Sequence, residues 1–252
     1  MIDLSNQVAL VTGGSRGIGA AIAVMLAQAG AEVAVIYRRD VHSARKILKK
    51  INDLGCNGIA IRGRIENYAD CNNIVKNVRN EFKRIDILVN NAGIWEYGKI
   101  GEMTPKQWQR TIEINLTGTF NMCNVVVPIM QKQKYGRIIN ISSTAGQRGE
   151  ALHSHYAASK GGIIAFTKSL GPELIRDGIW VNCIAPGWVN TDMVSDVFKN
   201  LKETKEIVKS IPRGKVATPE EIAGPIIFLA SHLADNIVGE ILNVNGGSVL
   251  CG

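Results

Sequence analysis

No apolar run in the 252 residues approaches the roughly 20 that a membrane-crossing helix needs; stretches such as 8–11 and 87–89 are only strand-sized. The opening MIDLSNQVALVTGG lacks the basic start and small-residue cleavage site of a secretory signal, so a cytoplasmic protein is expected. Cysteine is sparse: the five residues Cys56, Cys71, Cys123, Cys183 and Cys251 are odd in number and form no CxxC pair. That argues against a disulfide framework or zinc site and predicts reduced, mostly buried thiols. No His/Asp/Glu cluster has metal-ligand spacing, so no catalytic metal is expected. The charge of +7 comes without a basic/aromatic stripe or a recognisable nucleic-acid module. It leaves room for a phosphorylated ligand or an acidic partner. No Pro/Ser linker, repeat or low-complexity tract divides the chain, and residues 1–252 read as a single domain.

What the sequence does contain is a regular alternation. Short β-branched runs at 8–11, 33–37, 58–61, 85–89, 136–142, 180–185 and 241–244 predict seven strands. Helical patterns fill the gaps. The first places Ile18, Ile22, Met25, Leu26 and Ala29 on one face and stops at Gly30. Long helices are predicted over about 105–130 and about 156–176. Strands apolar on both faces, alternating with helices, predict an α/β fold: a seven-stranded parallel sheet, doubly wound, with helices on both sides. The more polar stretch 190–213 reads as a helical insertion above the carboxyl edge of the sheet, where a substrate lid would sit.

The first strand runs directly into Thr12-Gly13-Gly14-Ser15-Arg16-Gly17-Ile18-Gly19 and then into the first helix. Glycines there allow a tight turn and let a pyrophosphate approach N–H groups at a helix N-terminus, as in a Rossmann-type dinucleotide site. The spacing is G-x3-G-x-G rather than G-x-G-x-x-G, and no GK[ST] follows to make a P-loop. Strand two ends Tyr37-Arg38-Arg39, with no acid before Asp40 to accept from a ribose 2′-hydroxyl. Arg38, with Arg16, is suited instead to a 2′-phosphate, so NADP(H) is expected in preference to NAD(H). Arg45, Lys46, Lys49 and Lys50 read as a solvated helix face.

Tyr156 and Lys160 lie four residues apart, on one face of a helix. Ser142-Ser143 ends the fifth strand, and Asn90-Asn91-Ala92-Gly93 follows the fourth. With TGGSRGIG, Asn115, Pro186-Gly187, Thr191 and the closing GEILNVNGG, these residues make a sequence that resembles the short-chain dehydrogenase/reductases over essentially its whole length, and most of all the 3-oxoacyl-carrier-protein reductases. The resemblance implies a reductase passing hydride from the cofactor to a ketone carbonyl, with Asn115, Ser143, Tyr156 and Lys160 as catalytic residues. Tyr156 would handle the proton and Ser143 the substrate oxygen. Lys160 would lower the tyrosine pKa and hold the nicotinamide ribose, and Asn115 would anchor a proton-relay water. Gly13, Ser15, Arg16, Gly17, Ile18, Gly19 and Arg38 would hold the cofactor, and Tyr156 and Lys160 would contact it as well. Asn91, Ala92 and Gly93 would line its adenosine and ribose, and Pro186, Gly187, Val189 and Thr191 its nicotinamide and phosphates. Homotetramers are usual in the family, paired through the long helix from Pro105 and the helix carrying Ala157, Ala158, Gly161 and Gly162.

Two departures stand out. The family's acidic adenine contact after strand three is replaced by Gly63-Arg64-Ile65, where Arg64 would stack instead. Of the two basic positions that meet an acyl carrier protein, Lys134 fits one; the other reads Asp177, with Arg176 adjacent. Trp95, with Ile94 and Glu96, residues Gln147 to Leu152, and Trp188 should line the substrate pocket and suggest a bulky or apolar ketone. His153 and His155 are expected at the surface, outside the chemistry. A sugar, polyol or secondary-alcohol dehydrogenase with the same machinery is the alternative. A non-catalytic cofactor sensor is the distant one, since such proteins typically lose the Tyr/Lys pair.

Overall fold

The computed structural model describes residues 2–250. Seven strands, β1 (Val8–Thr12), β2 (Glu32–Tyr37), β3 (Gly58–Arg62), β4 (Ile87–Asn90), β5 (Gly136–Ile141), β6 (Ile179–Pro186) and β7 (Ile241–Val244), form one parallel sheet in the order 3-2-1-4-5-6-7. Its helices are α1 (Gly17–Gln28), α2 (Val41–Asp53), α3 (Tyr68–Phe82), α4 (Pro105–Ile112), α5 (Gly118–Gln133), α6 (Thr144–Arg148), α7 (Ser154–Leu174), α8 (Ser195–Phe198), α9 (Leu201–Ser210) and α10 (Pro219–Ala230). The expected α/β fold, doubly wound with helices on both faces, is present.

The period-two rule explains how the sheet is covered. Ala9, Val11, Val33, Val35, Ile87 and Val89 pack with Ile22 and Leu26 of α1 and Ile222 and Ile226 of α10. Their neighbours Val8, Leu10, Ala34, Ile36 and Leu88 point the other way, onto Ile74 and Val78 of α3 and Met122 and Val126 of α5. All of β1 and β4 is therefore buried, which is why these runs carry no polar alternation. Within α1 the buried residues are Gly19, Ile22, Ala23, Leu26 and Ala27, a face shifted slightly from the predicted stripe. Cys71, Cys123 and Cys183 are buried free thiols and Cys56 is half-buried; Cys251 lies outside the described residues. Among the described residues no helix is long and apolar enough to cross a membrane.

Strand order reverses between β1 and β4, so the connections leaving their carboxyl ends diverge and open a crevice there. Above that edge, residues 190–213 contain a 3-10 turn at Asp192–Val194 followed by α8 and α9, the helical insertion expected from its polarity. The long helix expected over 105–130 is not one regular helix. α4, opened by a Thr104/Gln107 capping box, passes into a wider π turn at Glu113–Thr117 before α5 begins. A π turn carries one residue more than the α ladder accommodates, and here it sits beneath the crevice.

Candidate active site

The glycine turn is built by steric necessity. Gly13 (φ +63) and Gly17 (φ +53) occupy the left-handed region, and a Cβ on Gly19 would lie 2.3 Å from the Gly13 carbonyl oxygen. Thr12 Oγ1 accepts from the N–H groups of Asn91 and Ala92, each at 3.0 Å. The Asn91 side-chain amide donates back to the carbonyls of Thr12 (2.9 Å) and Gly13 (3.3 Å). The turn after β1 and the 90–93 segment after β4 are thereby locked together across the crevice. Arg16 precedes α1 without a side-chain cap, so the first-turn N–H groups keep their donor capacity for an anion.

The polar centre comes from β5, the π turn and α7. Ser143 caps α6, its Oγ accepting from Ala145 N at 3.1 Å, and is hydrogen-bonded to Tyr156. Lys160 is 4% exposed. Its Nζ donates to the Ile141 carbonyl at 2.7 Å and lies 5.8 Å from the centre of the Tyr156 ring. Ser142 Oγ donates to the Lys160 carbonyl at 2.8 Å, which ties the end of β5 to the same helical turn. Asn115, fully buried in the π turn, accepts from Ile94 N (2.8 Å) and donates to Ile94 O (2.9 Å) and Ser159 Oγ (3.1 Å). A Cβ on Gly93 would sit 3.2 Å from Asn115 Oδ1 and 3.6 Å from Lys160 Nζ, so this close approach favours glycine.

The electrostatics correct one expectation. Burial pushes the Tyr156 hydroxyl up to about 12, against the hydrogen bond from Ser143, with the Glu150 carboxylate adding to the rise. The lowering by Lys160 that the resemblance implies is not seen. Here desolvation dominates, and the lysine ammonium is directed to the Ile141 carbonyl. Burial also brings Lys160 down to about 8. In this state Tyr156 is a proton donor throughout the neutral range.

At the other end of the cleft Arg38 Nη2 lies 3.0 Å from Glu66 Oε1. Arg64, expected to stack on adenine, is held by the Asp70 carboxylate at 3.1 Å through its Nε and at 3.0 Å through its backbone N–H. Asp40 caps α2 by accepting from Ser43 N and Oγ, which lowers its pKa. Glu66, one residue beyond Gly63-Arg64-Ile65, is brought to Arg38 by the way β3 turns into α3, a pairing that the sequence pattern does not signal.

Ile94, Trp188 and Met193 line the catalytic end. Trp188 meets Trp95 edge-on at 6.2 Å and Phe198 of α8 at 6.0 Å. Trp95 stacks on His153 (4.2 Å, 9°) and donates from Nε1 to Glu150 Oε1 at 3.1 Å. His153 and His155 are thus not surface residues as expected: they are 9% and 0% exposed. His153 is covered by the indole and bonded through Nδ1 to the Ala151 carbonyl. His155 lies in the first turn of α7 against Gly98, and its burial lowers its pKa. Gln147 is drawn away toward β7, its Nε2 donating to Asn243 Oδ1 at 2.6 Å.

The cleft encloses about 510 Å³ and runs from Ser15, Arg16 and Arg38 past Asn91, Ala92 and Gly93 to Ser143, Lys160, Pro186, Gly187, Val189 and Thr191. Left-handed glycines, open helix N–H groups and an arginine-bearing far end fit an extended dinucleotide. Fold and crevice together define a doubly wound dinucleotide-binding protein with a Ser143/Tyr156/Lys160 centre at one end of its cleft.

Comparison with known proteins agrees. Residues 7–202 match the family model for short chain dehydrogenases. The chain is 41% identical over 251 residues to a 3-oxoacyl-[acyl-carrier-protein] reductase of Synechocystis sp., covering 99% of this chain and 100% of that one. It is also 41% identical over 243 residues to an acetoacetyl-CoA reductase of Shinella zoogloeoides, covering 96% and 98%. A candidate NAD(P)-dependent gluconate 5-dehydrogenase from Beutenbergia cavernae, solved with NADP bound at low occupancy, superposes with a TM-score of 0.93 at 32% identity, covering 98% of each chain. The chain belongs to the short chain dehydrogenase family and is an NAD(P)-dependent oxidoreductase.

Proposed function

We propose that the protein is an NADPH-dependent reductase of 3-oxoacyl thioesters. The observation that carries this reading is the hydrogen-bonded Ser143–Tyr156 pair one helical turn from a buried Lys160, at the end of a cleft whose far end presents Arg16 and Arg38. The bound cofactor supplies the hydride. Ser143 and Tyr156 both reach one oxygen, the serine as a hydrogen-bond donor while negative charge grows there and the tyrosine as the group that delivers the proton. Lys160 places a positive charge beneath the tyrosine and beside the ribose position. Asn115 acts as a positioning residue, fixing the segment after β4 against α7 through Ile94 and Ser159. Arg16 and Arg38 receive the 2′-phosphate.

Relatives named for carrier-bound and coenzyme-A-bound substrates are equally similar to this chain. Lys134 and Asp177 adjoin the starts of β5 and β6, the sheet edge opposite the cleft, and Asp177 is bonded to Gln131. A carrier protein docked there would not face this chain's own cleft, so the substrate is proposed as the thioester and not as a particular carrier. The test is the initial rate of NADPH oxidation with acetoacetyl-CoA, with the same acyl group on a carrier protein, and with gluconate-type polyols plus NADP in the reverse direction. Turnover with a thioester above that with any polyol is expected. Turnover with polyols alone would move the assignment to the sugar dehydrogenase suggested by the solved relative.

The pH profile separates the two titrating groups. Lys160, brought down to about 8, is cationic below that pH and neutral above it, whereas Tyr156, at about 12, stays protonated throughout. For kcat/KM of NADPH, which reports the free enzyme, a fall of about tenfold per pH unit is expected above about pH 8. A flat profile up to pH 10 would contradict the role given to the lysine charge.

A further inference from the structure

We infer that Glu66 is a specificity-determining residue: its carboxylate competes with the cofactor's 2′-phosphate for the Arg38 guanidinium and narrows the preference for NADPH over NADH. The inference rests on the proposed reading that Arg38 receives that phosphate.

Arg38 and Glu66 line the same cleft as the glycine turn, and their side chains are joined at 3.0 Å. Glu66 is the more enclosed of the two, with its side chain 18% exposed against 39% for Arg38. A guanidinium binds carboxylate and phosphate through the same fork of N–H donors, so the two anions compete for the same donors. A 2′-phosphate must therefore displace Glu66 or share Arg38 with it. Either outcome sets a second anion beside a half-buried carboxylate, or leaves that carboxylate without a cation. Among the described residues Glu66 forms no other ion pair.

The surroundings do not offer a ready substitute for Arg38. Arg64 is already held by Asp70. Arg62 donates from Nε to the Arg38 carbonyl at 3.3 Å, and neither it nor Arg39 forms an ion pair among the described residues. The adenosine end thus keeps an excess of positive charge that attracts a phosphate, while the arginine best placed in the cleft has an internal occupant. NADH carries no 2′-phosphate and leaves the pair intact. Glu66 consequently weakens one cofactor and spares the other, a selective effect that a merely structural ion pair would not have.

Binding of NADPH and NADH to the full chain, followed by tryptophan fluorescence, tests this in a double-mutant cycle. Glu66→Gln keeps the shape and removes the charge; it is expected to tighten NADPH by about two- to fivefold with NADH unchanged, the range an exposed ion pair supports. Arg38→Gln is expected to weaken NADPH by about tenfold or more, with NADH held within about twofold. In the Arg38→Gln background, Glu66→Gln should tighten NADPH less than it does in the parent, since only direct carboxylate–phosphate repulsion is left to relieve. NADH affinity serves as the internal check that each variant is folded. An unchanged NADPH/NADH ratio in Glu66→Gln, alongside a large loss in Arg38→Gln, overturns the role of Glu66 alone. No loss in Arg38→Gln overturns the phosphate assignment itself and this inference with it.

Discussion

Tyr156→Phe is expected to lower kcat for ketone reduction by about 10²- to 10⁴-fold, the range attributed to one general acid, with the cofactor Kd within about twofold of the parent. The substitution removes a single oxygen. The ring remains half-buried on α7 and Lys160 keeps its bond to the Ile141 carbonyl, so the fold and the cofactor cradle lose nothing. What is lost is the proton that burial holds on the hydroxyl up to about 12. Single-turnover NADPH oxidation, beside a fluorescence titration of cofactor binding, separates the two effects. Near-parental turnover would mean that another group delivers the proton, with His155, buried one residue away, the first to examine.

The second large effect is steric. Gly19→Ala puts a methyl group 2.3 Å from the Gly13 carbonyl oxygen and 2.5 Å from Asn91 Nδ2, and the nearer of these atoms is backbone. Either α1 moves away from the turn or the turn opens, and both changes separate the N–H groups from the position of the pyrophosphate. Overpacking of this kind costs about 1–3 kcal/mol of stability. A melting temperature lowered by several degrees is expected, together with cofactor affinity weakened by about 100-fold or more. Gly55→Ala is the control: unlike Gly19 it sits at positive φ (+85), and no atom lies within 4 Å of its added methyl. It should lose stability from backbone strain alone and bind cofactor normally. Equal losses of affinity in the two variants would show that the glycine turn is not the cradle.

The sheet was almost entirely legible in the amino-acid sequence. A strand buried on both faces has no freedom to carry polar residues, so runs such as VALVT and ILVN announce themselves. The glycine turn and the Tyr156/Lys160 spacing were legible for a similar reason, because each depends on local geometry that few sequences satisfy. Properties set by atoms distant in sequence were hidden. His153 looks like a loop histidine until Trp95, far back in the chain, is laid across it. The pKa of Tyr156 follows from how much protein surrounds it, and the spacing to Lys160 carries no information about that. Gln147 reads as a pocket residue, yet β7 supplies Asn243 and draws its amide away. Arg38 at the end of β2 lines the cleft, while its partner Glu66 depends on how β3 turns into α3.

The π turn at Glu113–Thr117 has a consequence for how such a chain can change over generations. One surplus residue in a helix rotates everything beyond it by about 100° relative to an uninterrupted α ladder. Deleting a residue of that turn other than Asn115 would restore ordinary helix, and with it a long helix of the kind expected from periodicity alone. It would also swing Asn115 off Ile94 and Ser159 and change the face that α5 shows to the sheet. A single-codon loss here is therefore far more damaging than most substitutions nearby. The extra residue acts as a ratchet: once the crevice is organised around it, the simpler helix is no longer within one step.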